Sequence, residues 1–163
     1  MAGFSRAYDC PFGSTGGTAE TVAIDAVELT PADDKPILVY SYEIYNVSDF
    51  GDAQAESIPM YWIRGNTSTG SGGVAAAAGN TTNPSDAAAG FTYEAMNTTV
   101  ASAGTTKQLK SVGFNVQAGL LRILVPEERI EASQGNTVMC WRQGAAPADS
   151  LTQLGNVCIG EAG

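Results

Sequence analysis

A chain of 163 residues with 17 acidic and 8 basic side chains carries a formal net charge of −9 at pH 7. This length suits one domain that buries about two-thirds of the surface of the unfolded chain. The basic residues are scattered, whereas nucleic acids and anionic membranes need clustered positive charge, so we expect the protein to bind neither.

The residues that carry most enzyme chemistry are missing or isolated. The sequence contains no histidine, which removes the commonest general base and the commonest zinc ligand. Cys10, Cys140 and Cys158 lack Cys-x-x-Cys spacing, so they predict buried free thiols, with a Cys140–Cys158 disulfide as the alternative. We predict no catalytic residue and no cofactor.

Paired carboxylates could hold a metal ion or act as an acid and base, but none here has the spacing of a calcium loop. The pairs are Asp33 with Asp34, Asp49 with Asp52, and Glu127 with Glu128. Each stands in a turn-like stretch, which favours solvated charges. We therefore predict no metal site, and would search for one first at Asp33 and Asp34.

The N-terminal region is predicted to be an extended arm. Phe4, Tyr8 and Phe12 recur every four residues, but Pro11 and the glycines that follow would break a helix. We expect residues 1–20 to form the arm. Its aromatic side chains either pack on the protein's own domain or bind a neighbouring subunit.

Stretches rich in alternating apolar, β-branched and aromatic residues predict strands. The candidates are residues 22–29, 37–47, 58–64, 91–95, 109–116, 120–125, 137–143 and 156–161. In the first, the apolar phase shifts at Val27, which predicts a strand that ends in a bulge or twists across the sandwich edge. In the second, Tyr40, Tyr42 and Ile44 should face one way and Val39 the other. About eight strands and turn-rich connections predict an all-β fold, an antiparallel two-sheet sandwich of jelly-roll-like form over residues 21–163.

A long insertion interrupts the strands at residues 65–90. It is rich in Gly, Ala, Thr and Ser, and Val74 is its one large apolar side chain. Loops of this length within a domain are uncommon. We expect a solvated mobile loop, with ordering by a partner as the alternative, in which Val74 and Asn80 would contact that partner.

The C-terminal third, residues 113–163, resembles a known class of proteins. Its pattern is an apolar strand, Pro-Glu-Glu-Arg at 126–129, a Gly135-Asn136 turn, a second strand, the connector 146–152 and a last strand ending at Glu161. This pattern is similar to small β-sandwich virion proteins of tailed bacteriophages that decorate or cement the capsid. The resemblance rests on turn residues and implies no catalytic group.

The resemblance implies a non-enzymatic structural protein on the outer capsid surface, bridging neighbouring subunits of the major capsid protein. It also implies a homo-oligomer, with a trimer favoured, although no long hydrophobic strip in the sequence indicates the interface. The predicted partner-binding residues are Phe4, Tyr8, Phe12, Val74 and Asn80.

Two alternatives remain open. A virion surface or tail module could bind host carbohydrate in an aromatic groove, because aromatic rings stack on sugar faces. The groove would be lined by Tyr40, Tyr42, Tyr45, Tyr61 and Trp62. The second alternative is a carboxylate-based glycosidase on a jelly-roll frame, which would require a pair of Glu residues in a deep cleft.

Overall fold

A computed structural model of the chain describes residues 4–14, 21–47, 56–133 and 137–162. The described residues form twelve β-strands and one 3-10 turn, Pro126–Glu128. The strands are β1 Phe4–Gly13, β2 Ile24–Thr30, β3 Ile37–Asn46, β4 Ser57–Asn66, β5 Val74–Ala78, β6 Asn80–Thr81, β7 Thr92–Asn97, β8 Lys107–Asn115, β9 Leu120–Ile123, β10 Ile130–Ala132, β11 Val138–Gln143 and β12 Gln153–Ala162. Across these ranges there is no α-helix, and hence no helix able to cross a membrane.

The strands form two antiparallel sheets. Sheet 1 has the order β10–β3–β12–β1–β6, and β9 pairs with β3 on the same edge as β10. Sheet 2 has the order β5–β7–β2–β11–β4–β8. The predicted all-β, two-sheet antiparallel fold is confirmed. The predicted count of eight is too low, because β1, β5, β6 and β10 were not recognised, and the jelly-roll connectivity stays a prediction.

One hydrophobic core lies between the two sheets. The rings of Trp62 and Trp141 stack at its centre with centroids 6.0 Å apart, and Tyr42 contacts both rings. The ring of Phe12, in sheet 1, packs edge-on against the ring of Trp141, with the two centroids 5.8 Å apart. These side chains alternate with outward-facing residues along their strands, so each sheet buries one face against the other.

Residues 4–13 are a strand of sheet 1, not an arm. β1 pairs along its length with β12, and Tyr8 and Asp9 also pair with β6. A spacing of four residues keeps side chains on one face of a strand as well as of a helix, so Tyr8 and Phe12 both reach the core. The predicted arm is wrong here, and its residues 1–3 and 15–20 lie outside the described ranges.

The insertion at 65–90 is built into both sheets. β5 adds to the edge of sheet 2 beside β7, and β6 adds to the edge of sheet 1 beside β1. A sheet edge offers unpaired N–H and C=O groups, and these can hold a segment that has almost no large side chains. The expected mobile loop is therefore wrong, and the order comes from the protein's own strands.

Two bulges set which side chains face the core. In β2, Trp141 pairs with Val27 and Arg142 with Asp25, so Ala26 is an extra residue, which is the bulge of the two alternatives that the phase shift left open. In β3 a register shift leaves Tyr40 as the extra residue. Val39 therefore shares the core face with Tyr42 and Ile44, whereas Tyr40 is half-buried, so the predicted faces are wrong at positions 39 and 40.

Candidate functional sites

A buried polar cluster lies on the outer face of sheet 2. In a regular strand, residues three apart point to opposite faces, but the extra residue in β2 brings Asp25 and Glu28 to the same side. The neighbouring strand β11 places Arg142 opposite Asp25 and Cys140 opposite Glu28. Asp25, Glu28 and Cys140 are each at most 1% exposed.

A flap, residues 67–73 and 98–102, covers this cluster. The two segments of the flap run antiparallel, with bridges between Ser68 and Ser102 and between Ser71 and Thr99. The Gly70 N–H donates to Glu28 Oε2 at 2.8 Å, and the Ala101 N–H donates to the Asp25 carboxylate at 2.7 Å. The flap thus excludes water from the two carboxylates and supplies backbone donors to both.

Asp25 and Arg142 form a bidentate ion pair. Arg142 Nε lies 2.6 Å from Asp25 Oδ1, and its Nη2 lies 3.0 Å from Oδ2. Nη2 also donates to the carbonyl oxygen of Ala101 at 2.7 Å. Parallel N–H···O bonds of this kind are among the stronger interactions between side chains, so the pair fixes β2, β11 and the flap to one another.

Glu28 is satisfied on one oxygen only. Its Oε2 accepts hydrogen bonds from Gly70 N–H and from Asn97 Nδ2 at 3.2 Å, whereas the buried Oε1 has no hydrogen-bond partner. Burial raises the pKa of Glu28 above its ordinary value, and burial likewise raises the pKa of the Cys140 thiol. Both side chains are therefore biased toward their protonated, neutral forms.

Asp25, Glu28 and Cys140 could together hold a metal ion. One carboxylate oxygen from each acid and the Cys140 Sγ all lie within 4.8 Å of one another. Asn66 Nδ2 lies 3.6 Å from that sulfur. In the part of the chain that the structure describes, no other group of three His, Cys, Asp or Glu residues has this geometry.

A third buried carboxylate, Glu161, holds the other end of the insertion. Its Oε1 accepts the N–H groups of Gly90 and Phe91 at 2.8 and 3.0 Å, and Glu161 is 0% exposed. Tyr8 of β1 adds a hydrogen bond to the Ala87 carbonyl oxygen at 3.1 Å. The segment before β7 is therefore fastened to β1 and β12 of sheet 1.

Sheet 1 carries an exposed apolar strip on its outer face, formed by Tyr45, Leu121, Ile123 and Leu154. Their exposed fractions are 39%, 56%, 74% and 50%. Leu121 and Ile123 stand opposite Glu43 and Ser41, and Leu154 stands opposite Tyr45, so all four side chains share one face. Among the described residues β9 pairs with β3 alone, which leaves its outer edge open.

Two surface pockets flank Arg64. One, of 320 Å³, is lined by Arg64, Lys107 and neutral residues of β11 and nearby turns, and the other, of 290 Å³, contains Glu127, Glu128 and Glu131. Glu128 lies 3.7 Å from Lys110 and 3.6 Å from Arg122. Its charge is thus offset by basic neighbours. Glu127 is exposed, as expected for a solvated turn.

The predicted partner-binding residues separate into three groups. Tyr8 and Phe12 are 0% and 6% exposed in the core, so the prediction that they bind a partner is wrong. Phe4 pairs with Ala162 through its backbone, and its side chain lies outside the described residues. Val74 and Asn80 are exposed on the added strands β5 and β6, where partner binding stays a prediction.

The five aromatic residues of the predicted carbohydrate groove do not meet at one surface. Tyr42 and Trp62 are in the core, at 1% and 0% exposure. Tyr40 and Tyr45 belong to sheet 1 and Tyr61 to sheet 2. Alternation along β3 and β4 buries the strongest stacking rings, so the predicted groove is wrong.

The remaining sequence predictions have mixed outcomes. Cys140 lies in sheet 2 and Cys158 in sheet 1, and all three cysteines are free thiols; Cys10 and Cys140 are buried as predicted, whereas Cys158 is only half-buried. Asp33 and Asp34 are exposed in a turn closed by the Ala32–Lys35 bridge. The Asp49–Asp52 pair and the Gly135–Asn136 turn lie outside the described ranges.

Asp25 and Glu28 were missed because they are separated from Cys140 by more than 110 positions in the chain. One signal was present: two acids interrupt an otherwise apolar strand at a predicted bulge. Compared with protein families, with curated proteins and with solved structures, the chain has no significant match.

Proposed function

We propose that the protein is a non-enzymatic structural subunit of a phage particle. It decorates or cements the outer capsid surface by bridging neighbouring subunits of the major capsid protein, as a homo-oligomer in which a trimer is favoured. The apolar strip on the outer face of sheet 1 carries this proposal, because exposed apolar patches indicate protein–protein contact.

The energetics of the strip favour a protein partner. Burying a fully exposed Leu or Ile side chain contributes about 1.5–3 kcal/mol, and Leu121 and Ile123 are 56% and 74% exposed. The open edge of β9 adds unpaired backbone N–H and C=O groups that a strand of another chain could complete. Apolar side chains beside an open edge therefore suit a second polypeptide better than a small polar ligand.

The connectivity gives further support. Without the short strands β5, β6 and β10 and the added strand β7, sheet 1 reads β9–β3–β12–β1 and sheet 2 reads β2–β11–β4–β8. Most consecutive strands in this set alternate between the sheets, as in the double Greek keys of a jelly roll, an architecture that recurs in viral capsids. A net charge of −9 suits an outer surface remote from packaged DNA.

The contact surface differs from the one that the sequence predicted. It comprises the apolar strip, with Val74 and Asn80 as further candidates on the two added strands. Deleting the N-terminal residues would not test the proposal, because residues 4–13 are a paired strand of sheet 1 and their loss would disturb the fold itself.

The test replaces Ile123 by Lys and measures self-association by sedimentation velocity and retention on purified virions by quantitative mass spectrometry. Val22→Lys is the matched control, since Val22 is also an exposed apolar residue, 42% exposed, and lies just before β2, away from the apolar strip. We expect Ile123→Lys to lose association while both variants keep the wild-type melting temperature. A wild-type chain that is monomeric at high concentration and absent from virions would overturn the proposal.

A further inference from the structure

The buried polar cluster contains more acidic side chains than basic ones. Two carboxylates, Asp25 and Glu28, are 0% and 1% exposed, and one guanidinium, Arg142, pairs with Asp25. Glu94 stands opposite Glu28 across β2 and β7 and adds a further half-buried acid. Isolated buried charges are costly, so Glu28 must either keep a proton or share a cation.

Protonation of Glu28 alone would leave the hydrogen-bonding needs of this side chain unmet. A protonated Glu28 would gain an O–H donor, yet its Oε1 has no hydrogen-bond partner in the structure. Buried polar atoms nearly always have such a partner, and a bound water or ion is one way to satisfy an exception. Glu28 offers one carboxylate oxygen to a group in which an Asp25 oxygen and the Cys140 sulfur also take part, all within 4.8 Å of one another.

We propose that Asp25, Glu28 and Cys140 bind one Zn²⁺ ion beneath the flap. Zn²⁺ takes carboxylate oxygens at about 2.0–2.2 Å and thiolate sulfur at about 2.3 Å in a tetrahedral set, whereas Ca²⁺ requires six to eight oxygen ligands. Two carboxylates and a thiol therefore suit zinc and not calcium. When the ion binds, the Cys140 thiol releases its proton and becomes the thiolate ligand.

The charges balance in this arrangement. Two carboxylates and one thiolate contribute three negative charges, which Zn²⁺ and Arg142 together neutralise. Arg142 Nε occupies one lone pair of Asp25 Oδ1 and leaves the other available for the metal. The guanidinium therefore orients Asp25 as a ligand in addition to reducing the negative charge.

Asn66 is the candidate for the fourth position. Its Nδ2 lies 3.6 Å from Cys140 Sγ, and Asn66 is 1% exposed. The two ends of an amide have nearly the same shape, so a half-turn of the side chain would present Oδ1 in place of Nδ2. Because the flap covers the cluster, the ion is taken up during folding or when the flap opens.

The experiment measures metal on the full-length chain. Protein produced in zinc-supplemented medium and gel-filtered without chelator is analysed by plasma mass spectrometry. We expect one Zn²⁺ per chain, a loss of zinc in Cys140→Ser and Glu28→Gln, and full retention in Cys158→Ser. At Zn²⁺ about 100-fold above the dissociation constant, the melting temperature should exceed that in chelator by about 5–10 °C.

Refolding with Co²⁺ provides a second readout, and its wild-type result does not depend on any variant folding. A thiolate-to-cobalt charge-transfer band should appear in the wild type and in Cys158→Ser, and should vanish in Cys140→Ser. A wild type that binds neither metal, or a cobalt band that persists without Cys140, would overturn the site. Neither result bears on the apolar strip, so the capsid proposal is tested separately.

Discussion

The ion pair between Asp25 and Arg142 should be one of the most costly interactions to break. The change Arg142→Met keeps the length of the side chain and removes the guanidinium. It deletes the two hydrogen bonds to the Asp25 carboxylate at 2.6 and 3.0 Å and leaves a carboxylate of 0% exposure without its cationic partner. Each hydrogen bond to a charged group contributes about 1.5–3 kcal/mol.

The sum agrees with the loss of about 3–5 kcal/mol that follows when one partner of a buried ion pair is removed. The free energy of unfolding of single domains is about 5–15 kcal/mol, so the variant should lose a large share of its stability. At about 2–4 °C per kcal/mol for this chain length, we expect the melting temperature to fall by about 6–20 °C.

Calorimetry and urea titration in chelator measure the effect without a bound metal. The control is Arg64→Met, which removes an exposed guanidinium whose Nη1 donates to the Glu131 carbonyl oxygen at 3.1 Å. Combining Asp25→Leu with Arg142→Met should recover part of the loss, because no unpaired carboxylate then remains. If Arg142→Met melted as high as Arg64→Met, the reasoning from burial would be refuted.

Three further predictions concern other buried groups. In chelator, folded Glu28 binds a proton more tightly than the unfolded chain does, so the free energy of unfolding falls as pH rises from about 4.3 toward the raised pKa of Glu28. Glu28→Gln should flatten this part of the pH profile measured by urea unfolding. An unchanged slope would contradict the raised pKa of Glu28. Trp62→Ala should lower the free energy of unfolding by about 3–5 kcal/mol in the same urea assay. A decrease below about 1 kcal/mol would contradict the position of Trp62 at the centre of the core. Under native conditions iodoacetamide should modify Cys158 before Cys10 and Cys140, because only Cys158 is partly exposed. Peptide mapping that finds Cys10 or Cys140 modified first would contradict the burial of these two thiols.

The sequence was sufficient where side chains alternate strongly. The eight strands rich in apolar and aromatic residues were all predicted, and a bulge in β2 was one of the two alternatives that its phase shift indicated. The sequence did not identify β1, because the four-residue spacing of Phe4, Tyr8 and Phe12 was compared only with that of a helix. The same spacing also places side chains on one face of a strand. β5 consists of Val74 and four alanines, which carry no strong strand preference.

The polar cluster could not be predicted because the sequence does not show which strands become neighbours. Glu28 and Cys140 meet only because β2 and β11 pair in sheet 2. The apolar strip was missed for a related reason. Leu121 and Ile123 alternate like core residues, and their exposure depends on β9 lying at the edge of sheet 1 with no layer outside it.

Two buried carboxylates explain why the insertion between β4 and β7 is ordered although it lacks a core of its own. Fixing each backbone residue costs about 1–2 kcal/mol of conformational entropy, and the Gly- and Ala-rich segment has little apolar surface to offset this cost. Glu28 accepts the Gly70 N–H near its start and Glu161 accepts the Gly90 N–H near its end. Because hydrogen bonds hold both ends of the segment, it loses less conformational entropy when β5 and β6 pair with the sheet edges. Two acidic residues that the sequence alone would place on the surface are therefore buried and stabilise the insertion.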